Sequence, residues 1–152
     1  MTYVSGFLQW LHVMAAVLAV GGVFFMRFIL YPAMHGQGID AESRSTVASR
    51  ILPRFRMMIH TCIAVLLATG TYRFIRQLPK LKDWTEYHAI FGIKVLLSLV
   101  VFGIAIALTM PPAANPNAIQ RKREKWMLVN FVLGAVVVLL SAYLRRLWDV
   151  PR

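Results

Sequence analysis

Four apolar stretches, each near the length needed to cross a lipid bilayer, account for most of this 152-residue chain. A hydrocarbon core about 30 Å thick takes about 20 apolar residues in helical form to cross it. Within that core every backbone N–H and C=O must find a partner inside the segment, which leaves the α-helix as the outlet for isolated apolar runs. The runs predict spans over about residues 4–31, 52–75, 86–110 and 126–145. The predicted fold is therefore all-α: an antiparallel, up-down four-helix transmembrane bundle. The spans and their loops use nearly the whole chain, so a single membrane domain is expected.

Local signals refine these boundaries. The first run has no Lys or Arg before Arg27 and is expected to stop at Pro32. Lacking a positive leader, it reads as a retained first span rather than a secretory signal. The second has only 16 charge-free residues between Arg56 and Arg73. Pro53 suits a first helical turn, and Arg54, Arg56, Arg73 and Arg76 can snorkel from both ends to extend it. The third run is interrupted only by Lys94 and ends at Pro111 and Pro112, and the fourth is closed by Arg145 and Arg146. Trp10, Tyr31, Tyr72, Trp84, Tyr87, Trp126, Tyr143 and Trp148 fall mostly near span ends, as an interfacial aromatic belt requires. In the first loop, Asp40 reads as the N-cap of a short interfacial helix over residues 41–50.

Charge narrows the function classes. A formal net charge of +11 on a soluble protein would suggest nucleic acid. Here the basic residues flank apolar runs, where they meet anionic lipid heads, so membrane lipids are the expected partner and nucleic acid is not. Nine Lys and Arg lie on the side of the first and third loops against seven on the other, which favours an outward N-terminus. With one cysteine, Cys62, no intrachain disulfide is available. No Cys-x-x-Cys-His, nucleotide-binding glycine loop or serine nucleophile motif is present, and the spans hold almost no carboxylates.

Ionisable groups are expensive inside lipid, so the few present point to function. His12 lies about eight residues into the first span, on a face with Ala15, Ala16, Ala19, Gly22 and Met26; at about 1.5 Å per residue it is about 12 Å deep. Lys94 reaches a matching depth from the same side in the third span, with Ser98 one turn on. His88, near the start of that span, lies about 120° round the helix from Lys94, so either residue could face His12. On the other side are His60, flanked by Met57, Met58 and Cys62, and the loop histidine His35, preceded by Met34. Imidazole with thioether or thiol donors suits Cu(I). Histidines within a helical bundle also suit haem b. His60, Ala64, Ala68 and Thr71 read as a small-residue packing face, and Asn130, Gly134 and Ser141 as a polar stripe turned toward the bundle, with Asn130 within reach of His60.

Residues 11–28, with His12, Gly21, Gly22 and Arg27, resemble the first helix of CopD-type copper resistance membrane domains. Ala68-Thr69-Gly70 and residues 88–97, with His88, Gly92 and Lys94, extend the likeness to the second and third helices. The same architecture is similar to that of the HemJ-type protoporphyrinogen oxidases, in which a first-helix histidine and a third-helix lysine are functional; His12 and Lys94 match them. Ala19 stands where both families usually carry tryptophan, and the HemJ-type His-x-Lys spacing is replaced by six residues from His88 to Lys94. The resemblance implies a bacterial-type plasma membrane protein that handles copper, with His12 and Lys94 at a central site; position in the third span adds His88 to that site, and donor chemistry makes His60, Met57, Met58 and His35 an outer metal site. It also implies a copper-binding or redox partner protein. A haem b redox enzyme and a non-catalytic subunit of a larger complex or homo-oligomer stay open beside it.

Overall fold

The computed structural model describes residues 2–36, 38–77, 85–110 and 116–149; side chains at 2, 77, 85–88, 116–122 and 145–149 lie outside that description. Five α-helices follow in order: α1 (Thr2–Phe25), α2 (Tyr31–His35), α3 (Ala41–Gln77), α4 (Thr85–Thr109) and α5 (Pro116–Asp149), with one π-helical turn, Met26–Leu30, joining α1 to α2. Four helical segments are long and apolar enough to cross a membrane: Tyr3–His35, Ala41–Arg76, Ala89–Thr109 and Arg123–Leu144. Among the described residues α1 packs on α3 and α5, and α4 packs on α5 and α3. The spans thus form a ring in chain order, the arrangement short connections impose on an up-down bundle.

Two boundaries differ from expectation. The first span runs through Pro32 to His35. A proline offers no N–H and its ring crowds the carbonyl four residues back, here that of Phe28. Phe28 lies within the π-helical turn, where the Tyr31 N–H reaches back to the Met26 carbonyl. The widened turn makes room for the ring, so the helix continues. The stretch 41–50 is helical and capped as expected, with the Ser43 N–H donating to Asp40 Oδ2 at 2.9 Å. It is, however, the opening of one continuous α3 with Pro53 inside it. Pro53 costs one rung, at the Ser49 carbonyl, which the Ala41–Leu52 turns before it tolerate.

Packing shows which faces turn inward. The core gathers Val23, Ile59, Ile63 and Ala105, with Phe55, Met58, Phe102, Ile106 and Phe131 against it. Ala15 and Met26 are buried and Ala16, Ala19 and Gly22 half-buried, so the face shared with His12 does point into the bundle. Gly22 permits the tightest approach: a Cβ there would stand 2.8 Å from Met58 Cε and 3.2 Å from Phe55 Cε2. Gly134 does the same for α5, since a Cβ there would lie 3.2 Å from Val20 Cγ2. Asn130, Gly134 and Ser141 face the interior as expected, Ser141 donating to the Val137 carbonyl of its own helix.

The expected small-residue face of α3 is corrected. His60, Ala64, Ala68 and Thr71 are exposed, and the inward face is Ile59, Cys62, Ile63 and Thr69. Lipid is as apolar as a packed interior, so small size alone does not tell the two faces of such a helix apart. Of the expected aromatic belt, Trp10, Trp126 and Tyr143 are each more than half exposed. Trp84, Tyr87 and Trp148 fall outside the described side chains.

Candidate functional site

His12 does not stand alone. Its Nδ1 lies 2.7 Å from Thr69 Oγ1 across the α1–α3 contact. Thr69 is buried, and its single hydroxyl proton goes to the Val65 carbonyl at 2.6 Å. An oxygen whose proton is already given can only accept, so His12 Nδ1 carries the hydrogen and donates. The imidazole's lone pair is then on Nε2, the nitrogen turned away from Thr69. A histidine whose other nitrogen is held by a fixed acceptor is oriented as a metal or haem ligand, or as a proton acceptor. Gly70 completes the seat: a Cβ there would stand 3.6 Å from His12 Cε1, so the bare Cα lets the ring lie close to α3.

Two cations share this region. Lys94, half-buried on α4, and Arg73, one turn beyond Thr69 on α3, both lie within electrostatic reach of His12, and Arg73 within reach of Lys94. Lys94 is on the helix diagonal to α1, so its charge reaches His12 across the bundle. Its Nζ makes no hydrogen bond to a described residue. The Ser98 hydroxyl, expected as its partner, instead donates to the Lys94 backbone carbonyl at 2.8 Å. Beside the cluster the Phe74 and Phe91 rings stack at 4.9 Å and 7°, tying α3 to α4.

The residues expected at the other end are not gathered. The His60 Nδ1–H donates to the Arg56 carbonyl of its own helix at 2.7 Å, and the ring is exposed. Asn130, only 4% exposed, is buried elsewhere with its Oδ1 unpartnered among the described residues, so the expected bond to His60 is not made. Met57 is 69% exposed, whereas Met58 packs into the core beside Gly22. His35 closes α2, bonded to the Tyr31 carbonyl at 2.8 Å and stacked on that ring. Cys62 is buried. No group of three or more His, Cys, Asp or Glu forms a metal-binding cluster among the described residues. His88 sits in α4, but its side chain lies outside the described residues.

Thr69 and Arg73 are members of the site that the sequence marked for other reasons, Thr69 within the family-like Ala68-Thr69-Gly70 and Arg73 as a snorkelling end residue. Their signal was faint: both lie near His12's expected depth at the end of the second span, and Arg73 sits four residues after Thr69, on the same face of α3.

Comparison with known proteins gives one result. The sequence family described as copper resistance protein D matches residues 49–144, which covers most of α3, all of α4 and α5 to Leu144. The matched range includes Thr69, Gly70, Arg73 and Lys94, while His12 and the rest of α1 lie before it. No curated protein and no solved structure matches the chain.

Proposed function

Because the chain belongs to the copper resistance protein D family, we propose that this multi-pass membrane protein handles copper through a site at His12, in a bacterial-type plasma membrane with the N-terminus outward. The observation that carries the reading is the Val65–Thr69–His12 chain of hydrogen bonds, which leaves Nε2 free to ligate. Imidazole nitrogen suits copper. Lys94 and Arg73 bring positive charge to the same region, so a cuprous ion binds there together with an anionic co-ligand, or when Lys94 has given up its proton and itself become a donor. His60, Met57 and His35 are exposed toward the other end of the bundle, and in this reading they meet a copper-delivering partner protein.

The same charges support a second reading. Haem b carries two propionates, and a half-buried histidine with a lysine and an arginine within electrostatic reach offers one axial ligand with two counter-charges. Haem would supply one-electron chemistry; the chain would supply Nε2 as ligand and Lys94 and Arg73 as anchors.

One preparation separates the readings. Protein purified from copper-supplemented cells is assayed for metal and for visible absorbance, alongside a His12→Ala variant. Copper retained by the wild type and lost from the variant supports copper handling. A Soret band that vanishes with His12→Ala supports haem instead. Copper content unchanged by His12→Ala removes the site from the copper reading.

A further inference from the structure

At the end of the bundle away from His12 lies a cavity of about 260 Å³, lined by all four spans. It includes neither His12, Thr69 nor Lys94, so it has nothing to do with the site above. Its floor is apolar: Val23, Ile59 and Ala105 line it and are 6%, 1% and 6% exposed. Its rim is polar, with Ser49, Arg56, Thr109 and Arg123. Arg56 immediately precedes the charge-free run 57–72, and Arg123 sits just before the run 126–144. Both spans start from the same side, so the two guanidiniums stand at headgroup depth while the floor stands in the hydrocarbon.

The charge at the rim is not neutralised from within. Among the described residues no carboxylate lines the cavity, and Glu124, next to Arg123, is paired with Arg27 at 3.8 Å. Arg123 donates from Nη2 to the Met110 carbonyl, and among the described residues its other guanidinium N–H groups meet no acceptor. The Arg56 guanidinium makes no hydrogen bond to a described residue. One neutral acceptor joins them: Pro53 has no N–H to give the Ser49 carbonyl, and both residues line the cavity. An apolar floor offers water no hydrogen-bond partners, and an enclosed apolar cavity of about 150 Å³ is known to stay dry and take apolar guests, so the floor favours hydrocarbon over water.

A ligand for this place needs an anionic head and a hydrocarbon tail, in that order of depth. We propose that the cavity holds one anionic phospholipid, its phosphate between Arg56 and Arg123 and one acyl chain against Val23, Ile59 and Ala105. Basic pockets between transmembrane helices are known to recognise anionic lipid heads by these same contacts.

The test uses full-length protein in mild detergent, titrated with dioleoyl phosphatidylglycerol, with dioleoyl phosphatidylcholine as the neutral-head control and glycerol phosphate as the head alone. Thermal shift and the phospholipid retained through purification are read together. Phosphatidylglycerol is expected to be retained and to raise the melting temperature, and neither control is. Arg56→Gln changes an exposed side chain and leaves the fold intact; it is expected to weaken phosphatidylglycerol binding about fivefold. Ala105→Leu, which fills the floor, is expected to abolish retention. Equal shifts from phosphatidylglycerol and phosphatidylcholine overturn the proposal, as does unchanged phosphatidylglycerol affinity in Arg56→Gln. An equal shift from glycerol phosphate overturns the acyl-chain half and marks a free-phosphate site.

Discussion

At the scale of single residues, the site turns on one proton. Thr69 spends its hydroxyl hydrogen on Val65, and this is what makes it an acceptor for His12. Thr69→Val keeps the shape and removes the acceptor. Loss of such an orienting partner lowers ligand affinity about 10–100-fold, so copper or haem binding should fall by that much while Thr69→Ser retains it. Histidine nitrogen NMR provides a readout that simple packing damage would not move. The wild type should show a non-protonated Nε2, and Thr69→Val a mixture of tautomers. An unmixed spectrum in the valine variant would remove Thr69 from its positioning role. His12 and Lys94 were singled out as candidates by the sequence because a charge in an apolar run has few innocent explanations. Thr69 was not, since a threonine in a membrane helix commonly bonds its own helix and nothing local announces a second partner. Arg73 was read as a snorkelling end residue, which its spacing permits, and only the packing of α1 against α3 brings it within electrostatic reach of His12.

At the scale of elements, the two helix starts and stops in the first loop carry the lesson. Asp40 caps α3, and hydrogen bonds from Ser43, the side chain first and the backbone amide next, hold its carboxyl below the usual range. A carboxyl with a lowered folded pKa stabilises the helix start above its unfolded value, and that contribution disappears as pH falls through the folded one. Amide exchange in the first turn of α3 should therefore be slow near neutral pH and quicken below about pH 4. Asp40→Asn keeps a neutral cap and should flatten the profile; an equally steep profile in that variant would assign the acid sensitivity to another group. Sequence rules located this cap correctly because capping is local. They misplaced the end of the first span at Pro32, because a proline's effect depends on whether the preceding turn can widen, and here the Met26–Leu30 turn does. The pair Arg27–Glu124, joining that turn to α5, has side chains 25% and 36% exposed, which keeps its contribution below about 1 kcal/mol. It marks register between the helices more than it holds them together.

At the scale of the whole molecule, four spans place the start of α1 and the end of α5 on one face and the Asp40 and Arg123 ends on the other. The excess of basic residues on the second face predicts that it is cytoplasmic. Cys62 is buried, so single cysteines can be introduced against a quiet background. With a membrane-impermeant thiol reagent applied to intact cells, Tyr3→Cys should label and Ser43→Cys should not. The reverse pattern would invert the orientation, and labelling at both positions would break the four-span topology. The same arrangement sets the two polar regions apart. His12, Thr69 and Lys94 lie toward the N-terminal face, and the arginine-rimmed cavity lies toward the other, about 15–20 Å along the helices. Ligands of opposite character, one ligated in the interior and one lodged at the headgroups, can then act on one bundle without competing.

The number and order of the spans followed from the sequence by itself. Bilayer thickness and the need to pair every backbone group act on each run separately, and residues elsewhere cannot relax them. Which side of each helix faces its neighbours was decided by the tertiary structure. Lipid and protein interior are equally apolar, so α3 shows little contrast between its faces, and His60, Ala64 and Ala68 turned outward where Cys62 and Thr69 turned inward. The candidate site inherits that division. Its expensive residues were visible one at a time, but the hydrogen bond that frees Nε2 exists only where α1 and α3 meet.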